Sequence, residues 1–269
     1  MNRGMNRREF LNGATAAVGV AMSSFASAQV APTRRKLLKR SQVNATVKIA
    51  KRVFADLGMR LPPFAFMTSA DWERAGHEYD EIRDCNLGWD VTDFGMEDFA
   101  HYGRCLFTLR NGKNNAAYPK PYAEKFILDP EGQCAPEHFH KIKREDIINR
   151  GIGKIVIDLA ASTPDGHKDT RAFQISIDGI RRSFNGPTRV VLNPGQSICL
   201  EPGIVHSFWG EGGYLIDGVH YTASGEVSFV CNDFSDNFFL NGAPRFPGID
   251  EDEPRDFYLC NEYPQAPKA

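Results

Sequence analysis

The sequence predicts an all-β fold, a barrel or a sandwich of two sheets, with a helical arm on its N-terminal side. Apolar residues recur at every second position in 155–159 and again in 173–177, which is the period of a β-strand. Glycine- and proline-rich turns separate such segments at short, nearly regular spacing, and Asp178-Gly179 is typical of a two-residue hairpin turn. Helical periodicity is confined to one early stretch, so most of the chain is expected to be β-structure.

The helical arm is predicted over residues 41–80. Apolar side chains recur at helical spacing after Ser41, a residue type that favours the N-cap, and Gly58 ends the pattern. A second, short helix is expected to begin at a cap formed by Ser69 or Asp71. We predict that this arm packs against the outside of the barrel.

The composition is that of an ordinary globular protein. The chain has 269 residues, of which 42% are hydrophobic and 25% charged, and its formal net charge is −2. We therefore predict a single domain over 41–269, and the lack of a basic stripe argues against a nucleic-acid partner. Six widely spaced cysteines are compatible with disulfides or with buried free thiols, and the sequence leaves both open.

Residues 1–28 have the features of an export signal. Arg7-Arg8 is a twin-arginine arrangement, and a weakly apolar run leads to Ala26-Ser27-Ala28, which is typical of a cleavage site. The run is too short to span a membrane, so no anchor is expected after cleavage. We predict export by the twin-arginine (Tat) route to the periplasm, with a linker over 29–40. The alternative is an amphipathic helix with a chance arginine pair.

Three histidines and a carboxylate have the spacing of a metal site. His138 and His140 stand one residue apart, so on a strand they point to the same face, and Glu145 can return to them from the next strand. His206 follows a Pro-Gly turn and would complete the cluster. Neutral imidazoles with one carboxylate suit a divalent first-row metal and leave coordination positions open. The alternative is that His138 and His140 are ordinary strand histidines.

The four residues and the glycines around them resemble the two half-motifs of the cupin superfamily. The first half-motif begins at Gly132 and the second at Gly195, and the second departs from the usual pattern by carrying Glu201 in place of proline. The resemblance implies a cupin double-sheet β-barrel, similar to a jelly roll, with a metal inside. It does not name a reaction, because the fold hosts dioxygenases, decarboxylases, isomerases and binding proteins.

Longer motifs narrow the resemblance. They include Leu61-Pro62-Pro63-Phe64-Ala65, Leu87-Gly88-Trp89-Asp90-Val91-Thr92, His206-Ser207-Phe208-Trp209 and Cys260-Asn261-Glu262-Tyr263. Over about 41–263 the chain resembles the D-lyxose isomerase family of cupin sugar isomerases. The resemblance implies an enzyme that uses Mn²⁺, with Zn²⁺, Co²⁺ or Fe²⁺ as alternatives, and converts D-lyxose to D-xylulose, often handling D-mannose and D-fructose as well. It also implies a monosaccharide as the partner molecule and a homodimer.

The resemblance also assigns site residues. The family's metal ligands fall on His138, His140, Glu145 and His206, its barrel lysine on Lys125 and an interior glutamate on Glu226. Isomerisation moves a proton between C1 and C2 while charge on the carbonyl oxygen is stabilised. Glu226 can carry the proton and Lys125 can hydrogen-bond the oxygen, but which of them is the base stays open. The alternatives are an outward-facing strand lysine and a surface glutamate.

Two other classes of protein compete with the isomerase. One is an Fe²⁺-dependent cupin dioxygenase, which would turn over only with oxygen. The other is an exported sugar-binding cupin without turnover, although a pure binder needs no proton-transfer group. Export itself fits poorly with an isomerase, since such enzymes generally act on cytoplasmic sugars.

Two further stretches are interpreted from their own sequence. Residues 212–224 match the family pattern poorly and are expected to form a loop at the barrel mouth, where loops set specificity. His220 in this loop could contact substrate or be solvated. The acidic stretch 249–254 is expected to be a solvated loop, and the alternative is a role in the active site.

Overall fold

The computed structural model describes residues 36–113, 115–233 and 235–268. The predicted signal at 1–28 and most of the predicted linker lie outside these ranges, so the export route stays a prediction. Within the ranges, no helix is long and apolar enough to cross a membrane.

The described chain consists mainly of short strands. The helices are α1 (Arg40–Asp56), α2 (Ser69–Arg74) and α3 (Asp80–Asp84), with 3₁₀ turns at Pro63–Phe66 and His77–Tyr79. The strands are β1 (Leu38–Lys39), β2 (Gly88–Thr92), β3 (Arg104–Arg110), β4 (Tyr122–Pro130), β5 (His138–His140), β6 (Glu145–Asn149), β7 (Lys154–Ser162), β8 (Lys168–Asp169), β9 (Phe173–Ile177), β10 (Ile180–Phe184), β11 (Thr188–Leu192), β12 (Ser197–Leu200), β13 (Ile204–Glu211), β14 (Tyr214–Ile216), β15 (Val219–Phe229), β16 (Asn237–Phe239) and β17 (Ile249–Asp250).

Two large antiparallel sheets enclose the core. In the described chain the first runs β10-β9-β12-β6-β15-β4-β3-β2, with β14 beside β15, and the second runs β11-β7-β13-β5-β16, with β8 beside β7. Strands β1 and β17 form a separate parallel pair. Ile147 and Ile175 of the first sheet and Ile157 and Phe208 of the second pack in one apolar cluster. The predicted all-β, double-sheet fold is confirmed.

The hairpin predicted at Asp178-Gly179 joins β9 and β10. Both turn residues have positive φ, +50° and +75°, as the tight turns that match strand twist require. In β9, Phe173, Ile175 and Ile177 are buried while Gln174 between them is exposed. This is the alternation from which the strand was predicted.

Helix α1 covers the face of the first sheet that points away from the barrel interior. Val47 and Phe54 are fully buried against Trp89 and Phe107. Leu106, the preceding residue on β3, faces the core between the sheets instead. Strand β3 therefore buries both faces, which explains why its sequence is almost continuously apolar.

The beginning of α1 differs from the prediction. The helix begins at Arg40, so Ser41 is not its N-cap, and Ser41 donates through its N–H and hydroxyl to Asp252 at 2.9 Å and 2.7 Å. The fully buried Arg40 pairs with Glu251 at 2.8 Å and Glu262 at 2.5 Å. The acidic stretch is exposed irregular chain over 251–254, as predicted, whereas 249–250 form β17. Its carboxylates also satisfy donors at the start of the helix.

The other helix ends are local motifs. Gly58 has φ +73°, and Met59 N–H donates to Phe54 O at 2.8 Å, so α1 closes in a Schellman motif at the predicted glycine. The cap of α2 is Thr68, one residue before the predicted Ser69. Its hydroxyl accepts the N–H of Asp71, whose carboxylate accepts the N–H of Thr68 in return.

The stretch 212–224 is a hairpin rather than a loop. Strands β14 and β15 pair around Asp217-Gly218, both with positive φ, and Ile216 is buried in the cluster that includes α1. His220 Nδ1 lies 3.4 Å from Gly213 O. His220 is not among the described residues that line the cavity around His138, His140 and His206. The suggestion that it contacts substrate is therefore not supported by its position.

The cysteines are free thiols. This holds for Cys85, Cys105, Cys134, Cys199, Cys231 and Cys260, and three of them, Cys85, Cys105 and Cys260, are buried. Of the two possibilities that the sequence left open, the structure has the unpaired one.

We expect Gly153→Ala to destabilise the fold much more than Gly195→Ala. Both glycines have positive φ, +93° and +86°, but a Cβ at Gly153 would lie 2.7 Å from the backbone N of Gly213, whereas a Cβ at Gly195 meets nothing within 4 Å. Strain and overlap together should lower the free energy of unfolding by about 2–4 kcal/mol for Gly153→Ala, against about 1 kcal/mol for Gly195→Ala. Urea unfolding followed by circular dichroism measures both, and equal losses would contradict the close approach.

Candidate active site

Three histidines converge inside the barrel. His138 and His140 alternate with an intervening residue on β5, and His206 on β13 is the direct ladder partner of His138. One ring nitrogen of each histidine lies within 4.8 Å of those of the other two. The cluster that the spacing predicted therefore forms across two neighbouring strands.

Glu145 returns to the histidines at the start of β6. Its Oε1 lies 3.2 Å from His140 Nε2 and 3.1 Å from His206 Nε2. The turn before it is held by Asp236, whose carboxylate accepts the successive backbone N–H groups of 141–143 at 2.8–3.1 Å. One buried carboxylate thus fixes the turn that brings Glu145 to the cluster.

The Nδ1 atoms of His138 and His206 each face a backbone carbonyl, which leaves their Nε2 atoms for the cluster. The Nδ1 atom of His138 lies 2.8 Å from Pro136 O, and that of His206 lies 3.0 Å from Ile204 O. A carbonyl oxygen only accepts, so Nδ1 carries the proton and Nε2 has the lone pair. Burial, reinforced by the neighbouring histidines, holds the pKa of His138 well below its ordinary value.

The donor set fits a divalent cation. His206 Nε2 is buried, and although Glu145 Oε1 lies 3.1 Å away, the contact lacks hydrogen-bond geometry and no other described residue hydrogen-bonds this nitrogen. Neutral imidazole nitrogens beside an ionised carboxylate are the ligands that first-row divalent metals take in proteins. An orphaned buried nitrogen normally requires explanation, and a metal ion bound here would provide one.

A buried cluster of charges adjoins the histidines. Lys143 Nζ lies 2.5 Å from Glu145 Oε2 and 2.9 Å from Glu226 Oε1. Lys125, the cross-strand partner of Glu226 between β4 and β15, places its Nζ 3.4 Å from the same Glu226 oxygen. All four side chains are at most 7% exposed, so each charge is balanced by neighbours rather than by water.

The charge cluster keeps its members ionised. Burial alone would raise the pKa of Glu226, but the ammonium groups of Lys125 and Lys143 outweigh it and hold the pKa below its ordinary value. Burial alone would lower the pKa of Lys125, but the carboxylates of Asp233 and Glu226 raise it. Glu226 is therefore a carboxylate able to accept a proton.

A second ion-pair group lies on the other side of Lys125. Asp233 Oδ1 is 4.0 Å from Lys125 Nζ, and Asp233 Oδ2 is 3.6 Å from Arg245, which also pairs with the buried Asp90. Phe94 and Phe239, whose ring centroids are 5.4 Å apart, form an apolar wall of the same cavity. The cavity thus has one wall of charged groups and one of aromatic rings.

The structure brings together all six residues singled out from the sequence. They line one cavity: Lys125, His138, His140, Glu145, His206 and Glu226. Lys125 and Glu226 are 3% and 5% exposed, so the alternatives of an outward-facing lysine and a surface glutamate are wrong. Their roles as metal ligands and proton carriers remain predictions.

Sequence reasoning gave no role to four charged residues of the cavity: Arg104, Lys143, Asp233 and Arg245. Lys143 lies in the turn between β5 and β6, where the strand period assigns no face, and its only signal was its position between the predicted ligands His140 and Glu145. Asp233 and Arg245 lie in irregular segments around β16, where no periodicity indicates direction.

Arg104 forms an ion pair with a buried carboxylate, that of Asp129. Its Nη1 donates to Asp129 Oδ2 at 2.9 Å, and Asp129 Oδ1 is buried without a hydrogen-bond partner among the described residues. Burial raises the pKa of Asp129 to about 6, although the Arg104 charge opposes the rise.

Solved structures with the same fold are similar to this chain. The L-ribose isomerase of Cellulomonas parahominis, solved with L-ribose, superposes with a TM-score of 0.51 at 16% identity, covering 79% of this chain and 96% of that one. The L-ribose isomerase of Acinetobacter sp. DL28 superposes with a TM-score of 0.53 at 13% identity, covering 81% and 100%. At this identity the likeness concerns the fold, a cupin-type barrel whose interior here holds the histidine cluster.

The sequence comparisons identify the family. The family model described as D-lyxose isomerase matches residues 38–263. A D-lyxose/D-mannose isomerase of Serratia proteamaculans is 45% identical over 84% of this chain and 98% of its own length. One of Escherichia coli O157:H7 is 42% identical over 85% and 99%. The chain belongs to the D-lyxose isomerase family.

We expect His206→Ala to weaken Mn²⁺ binding severely. Loss of a residue that merely orients a ligand costs about 10–100-fold in metal affinity, so loss of a ligand nitrogen should cost at least about 100-fold. Isothermal titration of Mn²⁺ into metal-stripped protein measures this. His167→Ala is the control, because the side chain of His167 is 79% exposed and is not among the described residues that line the cavity. Equal affinities of the two variants would contradict the metal site.

We expect Asp129→Asn to change how stability depends on pH. The folded pKa of about 6 lies above the ordinary value of 3.8, so folded Asp129 holds a proton that the unfolded chain has released between these pH values. The titration of Asp129 therefore lowers the free energy of unfolding as pH rises from about 4 to 6, by up to about 3 kcal/mol. The free energy of unfolding of the variant, measured with urea, should rise relative to that of the parent protein between these pH values. Parallel pH curves for the two proteins would show that Asp129 titrates normally.

Proposed function

We propose that this protein is an aldose–ketose isomerase that interconverts D-lyxose and D-xylulose and also D-mannose and D-fructose. The observation that carries the proposal is family membership over almost the whole described chain, with two relatives at 42–45% identity named D-lyxose/D-mannose isomerase. The cavity supports it, because a proton-accepting carboxylate and two ammonium groups lie beside a cation site.

The proposed metal site comprises His138, His140, Glu145 and His206. Their neutral nitrogens and single carboxylate suit Mn²⁺ and also Zn²⁺, Co²⁺ or Fe²⁺. When bound, the cation would act as a Lewis acid toward the neighbouring oxygens of the sugar. We propose Mn²⁺ as the native ion.

Glu226 is the proposed proton carrier. Its carboxylate is ionised and enclosed, so it can accept a proton from C2 of the aldose and return it to C1. Lys125 and Lys143 lie within 3.4 Å of it and remain charged, which lets them stabilise negative charge that develops on the sugar oxygens. This arrangement favours Glu226 over Lys125 as the base, because a protonated lysine cannot accept a proton.

The competing classes differ in what they need. A dioxygenase would require oxygen as co-substrate, and a sugar-binding protein would need no group that transfers a proton. A homodimer, a periplasmic location reached by the Tat route and cleavage after residue 28 are further proposals. They are supported by the family resemblance and by the arginine pair and small-residue site in the sequence.

We expect solvent deuterium to enter the product during turnover. Metal-stripped protein with Mn²⁺ restored should convert D-lyxose to D-xylulose equally with and without oxygen. Ketose formed in deuterated water should carry deuterium at C1, and aldose formed in reverse should carry it at C2, because the base exchanges its proton. Glu226→Gln should lower kcat at least about 10²-fold, as loss of a general base does, while Mn²⁺ still binds.

Oxygen and substrate controls separate the alternatives. Turnover that requires oxygen would indicate a dioxygenase, and tight sugar binding without conversion would indicate a binding protein. Lys120→Met is the control for removing a charge outside the cavity, since Lys120 pairs with Glu81 and is not among the described residues that line the cavity.

A further inference from the structure

Glu226 is held through one of its two carboxylate oxygens. Oε1 accepts hydrogen bonds from Lys143 Nζ at 2.9 Å, Ser228 Oγ at 3.0 Å and Cys231 Sγ at 3.4 Å. Lys125 Nζ approaches the same oxygen most closely, at 3.4 Å. No hydrogen bond from the described residues reaches Oε2, and Oε2 is not one of the buried side-chain atoms that lack a partner. The two oxygens therefore have different surroundings, and Oε2 is the one left free.

The strand register places Ser228 where its hydroxyl can hydrogen-bond Glu226 Oε1. Ser228 stands two residues after Glu226 on β15, so both side chains point to the same face. Across the ladder Ser228 is the direct partner of Glu145 on β6, and Glu226 is the direct partner of Lys125 on β4. Ser228 is only 6% exposed, so its hydroxyl has little competition from water.

We propose that Ser228 is a positioning residue for the reaction. With Cys231 it fixes Glu226 through Oε1 and leaves Oε2 as the atom that carries the proton between the two sugar carbons. The inference rests on the proposed isomerase function and specifies which atom acts and which side chain sets its direction.

The proton transfers balance around Oε2. In the first step the C2–H bond of the aldose breaks, the proton bonds to Oε2, the electron pair forms the C1=C2 bond, and the π pair of C1=O moves onto the C1 oxygen, giving an enediolate. In the second step the C2 hydroxyl proton passes to the C1 oxygen, the electron pair of that O–H bond forms the C2 carbonyl, and the C1=C2 pair takes the proton from Oε2 to form the new C1–H bond. Over both steps one proton passes from C2 to C1 and one from the C2 oxygen to the C1 oxygen. Glu226 ends as it began.

The Ser228 hydroxyl can change its hydrogen-bond acceptor when the charge on Glu226 changes. It has one proton and two oxygen acceptors in reach, Glu226 Oε1 at 3.0 Å and the backbone oxygen of Phe229 at 2.9 Å, with the weaker acceptor Cys231 Sγ at 3.5 Å. An ionised carboxylate is the stronger acceptor, so the proton points to Glu226 before the reaction. Once Oε2 is protonated, the hydroxyl can turn to Phe229 O without any movement of the strand.

The chain offers a matched control on the same strand. Ser224 stands two residues before Glu226, as Ser228 stands two residues after it, and is 1% exposed. Its hydroxyl has no hydrogen-bond partner among the described residues. Ser224→Ala therefore removes a buried hydroxyl of the same kind without removing a bond to Glu226.

The experiment is steady-state kinetics of the Mn²⁺-loaded protein with D-lyxose. Ser228→Ala should lower kcat about 10–100-fold, the range for one hydrogen bond to a charged group, with KM within about twofold of the parent. Ser228→Thr, which keeps the hydroxyl, should recover most of the loss. Cys231→Ala should lower kcat less, because a thiol is a weak donor. Ser224→Ala should leave kcat unchanged. A Ser228→Ala kcat equal to that of the parent, or a loss that Ser228→Thr does not recover, would overturn the proposal.

A second measurement does not depend on turnover. The infrared carboxylate stretch of Glu226, isolated by subtracting the spectrum of Glu226→Gln, should shift in Ser228→Ala and not in Ser224→Ala. If the parent protein fails to isomerise either sugar, the proposed function fails, and the infrared shift still decides whether Ser228 holds Glu226. If the parent is active and neither kcat nor the band responds to Ser228→Ala, only the positioning role is rejected.

Discussion

The interaction on which the site depends is the buried pairing of Lys143 with Glu145 and Glu226. Taking an ion out of water costs several kcal/mol unless opposite charges and hydrogen bonds replace the lost hydration. Lys143 touches one oxygen of each glutamate, and Lys125 approaches Glu226 from the neighbouring strand. Removing any one member would leave the others buried and unbalanced, so the group is fixed as a unit. It joins the proposed cation site to the proposed proton carrier.

The fold supports this group from two directions. Strand β15 pairs with β4 on one side and β6 on the other, which sets Glu226 beside Lys125 and Ser228 beside Glu145 by register alone. The turn that carries Lys143 is not regular structure and is fixed instead by Asp236, which accepts three successive N–H groups of 141–143. A one-residue slip of β15 would turn Glu226 out of the barrel. The chemistry is thus built on a rigid ladder and one clamped turn.

Much of the fold and half of the site could be read from local pattern. The strand alternation, the Asp178-Gly179 turn and the glycine that ends α1 were predictable because each depends on neighbours within a few residues. His138 and His140 were predictable for the same reason, since the strand period alone puts them on one face. The error at Ser41 has a cause that local pattern does not contain. There a carboxylate distant in sequence, Asp252, supplies the partner that local rules assign to the helix itself.

The sequence by itself determined which residue types the protein has for a metal and a proton transfer, and in what order they occur along the chain. Only the tertiary structure decided that Lys143 stands between two glutamates and that Asp233 and Arg245 close the far side. It also decided that the described residues hydrogen-bond Glu226 only through Oε1. These depend on the distance between atoms of segments up to some hundred residues apart. Periodicity gives the face on which a side chain lies, whereas packing of the two sheets gives the neighbour that it meets.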